Sequence, residues 1–83
     1  MLTPETIYKL NELHAKAEKI YGPVGDNFRG ESALASEYRE VLRAFDARDW
    51  DGLSDELMDL ANVATRWAQA IKSGEIQPYW RST

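Results

Sequence analysis

Eighty-three residues carrying a formal charge of −4 make one small domain, and 43% hydrophobic residues make it too apolar for a disordered acidic tail. The negative balance argues against general nucleic-acid binding, which requires a concentrated basic surface. The absence of cysteine rules out disulfides, thiolate metal sites and a cysteine nucleophile. No apolar run approaches membrane-spanning length, and the N-terminus lacks the apolar core of a signal peptide, which predicts a soluble cytoplasmic protein without a membrane partner.

The first helix is predicted over about 4–21. Thr3 suits the N-cap, Pro4 the first helical position, and Glu5 complements the positive end of the helix dipole. Ile7, Leu10, Leu13, Ala17 and Ile20 form an apolar stripe at helical spacing, and Gly22-Pro23 ends it. His14 lies beside that stripe and reads as a half-buried, hydrogen-bonded side chain rather than a catalyst. It is the chain's one histidine, so a hydrolase triad has no support. Residues 22–30, with three glycines and a proline, read as a loop. It lacks the Gly-Lys-Ser/Thr ending of a phosphate-binding loop.

A second helix is predicted over about 32–48, with Leu34, Tyr38, Val41, Leu42 and Phe45 on its buried side. A turn at 49–52 leads to a third, over about 53–73, capped by Asp51 or Ser54. Its apolar face is Leu53, Leu57, Leu60, Ala64, Trp67, Ala68 and Ile71, and Gly74 is the stop. Trp50 is expected to plug the end of the helical pair. The tail 75–83 reads as irregular, with Ile76, Tyr79 and Trp80 expected to dock on this subunit or a neighbour. The fold class is therefore all-α: a bundle of about three helices in a single domain, whose wide apolar faces predict completion by oligomerisation.

Two pairs of carboxylates stand out. Glu37 and Glu40 share one helix face, as do Glu56 and Asp59, and fifteen residues separate the pairs. If the two helices pack antiparallel, all four acids point into one space, where they repel unless a hard cation such as Mg²⁺ neutralises them. Asn62 and Arg66 continue the same stripe one and two turns beyond Asp59. That placement suits Asn62 to a base or sugar and Arg66 to a phosphate, or Arg66 to a nearby acid. Trp67 and Trp80 are the aromatics able to stack on a base.

Glu37-x-x-Glu40-Val41-Leu42, the acidic turn Arg48-Asp49-Trp50-Asp51, and Glu56-Leu57-Met58-Asp59-Leu60 together resemble the MazG-like all-α nucleotide pyrophosphohydrolases, whose pattern is written EExxE…ExxD. The resemblance spans residues 37–69. It implies a homodimeric or homotetrameric enzyme in which Glu37, Glu40, Glu56 and Asp59 are the catalytic acids that hold Mg²⁺ or Mn²⁺. A nucleoside triphosphate is then cut to monophosphate and pyrophosphate, the ion neutralising the phosphates and activating water. Ser36 replaces the first glutamate of the doublet, which bears on turnover more than on metal binding. The chain given carries no long fourth helix with phosphate-binding basic groups, leaving Lys9, Lys16, Lys19, Arg66 or a partner subunit to supply them, with Lys16 the choice on the first helix. Two other readings stand beside the enzyme: a degenerate relative that binds a nucleotide or protein without turnover, and a small acidic interaction protein.

Overall fold

Thr3 begins the first helix as its residue type dictates, its Oγ1 accepting from the Thr6 amide at 3.1 Å. In this computed structural model, which describes residues 1–76, α1 runs Pro4–Tyr21, α2 Asn27–Asp46 and α3 Trp50–Lys72, with no strand among the described residues. None of these helices is long and apolar enough to cross a membrane. Tyr79 and Trp80 lie outside the described residues, whereas Ile76 folds back, 3% exposed, with its amide donating to the Ala70 carbonyl.

Both inner helix starts lie earlier than the sequence pattern predicts. Asp26 Oδ1 accepts from the Arg29 amide at 2.8 Å, so α2 begins at Asn27 rather than near Ser32, and the loop shrinks to 22–26. Gly30 is thereby a helical residue, and its reason is tertiary. A Cβ there would lie 2.5 Å from Trp67 Cδ2, while Trp67 Nε1 donates to Asn27 Oδ1 at 2.8 Å.

At the other end, Arg48 takes φ +58°, its amide donates to the Phe45 carbonyl, and the Asp49 amide donates to Ala44. That is a Schellman stop without its usual glycine. Asp49 then caps α3, its Oδ1 accepting from the Gly52 amide at 3.0 Å, so the helix starts at Trp50 rather than Leu53 and neither Asp51 nor Ser54 is the cap. Removing this cap by Asp49→Ala should lower stability by about 1 kcal/mol. In a domain this small the melting temperature should fall by roughly 4–8 °C, read by circular dichroism.

Asn27 meets Trp67 at one end of the α2–α3 pair, and the Phe45 and Trp50 rings meet edge-on at 6.1 Å at the other, so the two helices are antiparallel. Along α1, Leu13 pairs with Asn62 and Glu18 with Arg66, so α1 runs in the same direction as α3. It packs on α3 and makes no close backbone approach to α2. The result is a three-helix bundle in which α3 is central and a cleft opens between α1 and α2.

The buried apolar residues are small or few: Ala17, Val41, Ala70 and Ile76 among those described. On α3 the expected apolar face is covered only in part, with Leu53, Leu60 and Trp67 half-buried. Asn62 and Arg66 are buried, while Leu57 and Ile71 are exposed. Arg66 can occupy this interior because Glu18 on α1 and the Gly22 carbonyl that follows the helix satisfy its guanidinium. Arg66 donates to Glu18 Oε1 through Nε and Nη2 at 3.1 and 2.9 Å, and Nη2 also reaches the Gly22 carbonyl at 2.7 Å. On the outside, Tyr38, Leu42, Phe45 and Trp50 remain exposed. Trp50 packs against Phe45 without being enclosed.

Candidate metal centre

The antiparallel packing of α2 on α3 places Glu37 opposite Glu56 and Asp59, which share a face of α3 one turn apart. One carboxylate oxygen from each lies within 4.8 Å of the others, and all three side chains are half-buried. Glu40 stands outside this group. Its Oε1 accepts from Arg43 Nη1 at 2.7 Å, one turn further along α2.

Gathering these charges raises the proton affinity of two of them. Glu37 is pushed above its ordinary value by burial first, then by Asp59, Glu56 and Glu40. Glu56 is pushed the same way by its local desolvation, then by Asp59, Glu40 and Asp55. All-oxygen donors of negative charge, held this close and mutually repelling, fit a hard divalent cation such as Mg²⁺ or Mn²⁺.

The raised values set a pH dependence. The folded protein holds these two protons more readily than the unfolded chain does, so stability falls as pH rises from the ordinary glutamate value of 4.5 through the raised values. Glu37→Gln removes one share of that penalty. In metal-free solution its melting temperature should therefore gain on the wild type as pH rises above 4.5, and the gap should close at lower pH. Paired thermal melts across pH check this.

Glu37 and Asp59 also line the cleft, which encloses about 500 Å³. Asn62 and Arg66 lie along its α3 side and Lys16 on its α1 side. Arg66 is held by Glu18 and Gly22, and His14 Nε2 stands 3.9 Å from the same Glu18 oxygen. Lys16 is exposed and makes no salt bridge among the described residues. Trp67 is half-buried against Gly30, and its indole nitrogen is taken by Asn27.

Arg29 is a cleft residue that the sequence reading passed over, because it fell inside the supposed loop. Its guanidinium is largely exposed and 3.8 Å from Asp26. Taking Asp26 as the helix cap would have found it, since Arg29, Ala33 and Glu37 then follow one another at four-residue spacing on a single face.

Comparison of this chain with models of protein families, with curated proteins and with solved structures finds no match.

Proposed function

We propose that this protein is a Mg²⁺- or Mn²⁺-dependent nucleoside triphosphate pyrophosphohydrolase of the MazG-like kind that its acidic pairs resemble. The observation carrying this reading is the convergence of Glu37, Glu56 and Asp59, from two helices, to within 4.8 Å beside a cleft of nucleotide size.

Those three carboxylates would hold the cation, which when bound supplies charge neutralisation and water activation. Glu40, outside the group, is the carboxylate left to accept the attacking water's proton, once released from Arg43. Lys16 and Arg29 are the cleft's available cations for phosphate oxygens. Arg66 is the weaker candidate, because a phosphate would compete with Glu18 and the Gly22 carbonyl for it.

Tyr38, Leu42, Phe45 and Trp50 support association of two copies through the outer faces of α2 and α3, giving a homodimer or homotetramer. Sedimentation equilibrium tests this, and a monomer mass at all concentrations would end it.

Two features favour the second reading, a binding relative without turnover. Ser36 replaces the first glutamate of the doublet, and Arg66 is already engaged. Pyrophosphate release from a panel of canonical and modified nucleoside triphosphates, with Mg²⁺ or Mn²⁺, separates the readings. Metal-dependent turnover supports the enzyme. A metal- and nucleotide-dependent rise in melting temperature without turnover supports the binder. If neither occurs, the acids are surface charge, and the acidic interaction protein becomes the reading to pursue.

A further inference from the structure

Asn62 lines the cleft one helical turn beyond Asp59 and is only 8% exposed. Its Nδ2 points to the Leu13 carbonyl at 3.5 Å, the long limit of a hydrogen bond. Its Oδ1 is buried and has no hydrogen-bond partner. A carbonyl can only accept, so Leu13 fixes which way the amide faces: nitrogen toward α1, oxygen left as an acceptor awaiting a donor. A buried acceptor in that state is unfavourable until something donates to it.

The surroundings restrict what that donor is. Leu13, Ala17 and Val63 are apolar members of the cleft lining beside Asn62, and Ala33 on the α2 side is small. Such walls receive the faces of a flat ring and would strip water from sugar hydroxyls without replacing it.

We infer that Asn62 is the base-reading residue of this cleft, with a nucleobase lying between α1 and α2 and donating a ring-edge N–H to Oδ1. The inference rests on the reading of the acids as the phosphate end of the same site, and it narrows the contact to the base rather than the sugar. Recognition is centred on the acceptor, because one of the amide's two N–H donors is directed to the Leu13 carbonyl. A base methylated at its donor nitrogen loses that hydrogen bond and collides with the floor.

The test uses ligands without phosphate, in chelator, so that it does not depend on the metal centre. Wild-type protein labelled with ¹⁵N is titrated with each of the four deoxynucleosides and with 2-deoxyribose. At least one deoxynucleoside should shift the Asn62 side-chain amide and the backbone amides of Ala17 and Val63, and deoxyribose should not. Methylating the donor nitrogens of that base should weaken binding at least roughly 10-fold, and Asn62→Leu, close in volume, should do the same. Equal binding of the methylated base, equal shifts with deoxyribose, or no shift with any nucleoside would overturn the inference, the last leaving Oδ1 to a buried water.

Pyrophosphate release is measured alongside. Nucleoside binding without release keeps the base site and removes the hydrolase. Release that is equal for all bases, and unchanged in Asn62→Leu, keeps the hydrolase and removes the base site.

Discussion

Glu56→Gln should abolish the cation-induced rise in melting temperature and lower pyrophosphate release by at least about 100-fold, since it removes one of the three proposed anionic ligands. The same substitution should make the metal-free protein more stable at neutral pH. It deletes a charge whose proton affinity is already raised by its surroundings, and whose repulsion helps raise that of Glu37. Loss of cation response together with a gain in metal-free stability is the signature of a ligand, and a merely structural acid would not produce it. Glu40→Gln should behave differently. Its oxygen lies outside the group, so the cation response should persist while turnover drops about 100-fold, the scale of a lost general base. Thermal melts with and without Mn²⁺, beside the pyrophosphate assay, read both variants. A Glu56→Gln protein that still responds to Mn²⁺ like the wild type would remove the proposed centre.

Gly30→Ala should destabilise the fold by about 2 kcal/mol, the middle of the range for overpacking a well-filled contact. The new Cβ would meet three atoms of the Trp67 ring at 2.5, 2.6 and 2.7 Å. The ring cannot simply swing away, because its Nε1 is bonded to Asn27 Oδ1. On an uncontacted helix face the same change would stabilise by up to about 1 kcal/mol, because alanine is the better helix former. The two cases therefore differ in sign. A fall of roughly 10 °C in melting temperature is expected for a domain of this size. A rise would mean that α2 and α3 do not pack as described. The effect should reach the cleft as well, since Gly30 contributes to its α2 wall.

Much of the architecture is local and was legible in the chain. Thr3, Pro4 and Gly22 mark the ends of α1 through backbone chemistry that needs no neighbour, and the helix occupies Pro4–Tyr21 as expected. The acidic pairs were legible too. Spacing of three on each helix, and a short acidic turn between them, suffice to bring Glu37 opposite Glu56 and Asp59.

What failed to show in the sequence depended on contacts between distant residues. Gly30 read as a loop residue because glycine is a poor helix former, yet it is helical because only a residue without a Cβ fits under Trp67. Arg48 read as helix because it is not glycine, yet it takes the left-handed stop that turns α2 into α3. Glu40 has the right spacing, but it lies outside the group of three, its Oε1 accepting from Arg43.

By itself, then, the sequence determined three helices, both ends of α1 and the helical spacing of the acids, because capping and helical period act within a few residues. Only the tertiary structure decided which face of α3 is buried. Hydrophobic periodicity assigns the interior to Leu53, Leu57, Leu60, Ala64, Trp67, Ala68 and Ile71, of which Leu53, Leu60 and Trp67 are half-buried and the other four exposed. The folded chain instead buries Asn62 and Arg66, because α1 lies alongside: Glu18 and the Gly22 carbonyl after the helix satisfy Arg66, and the Leu13 carbonyl takes the Asn62 amide nitrogen.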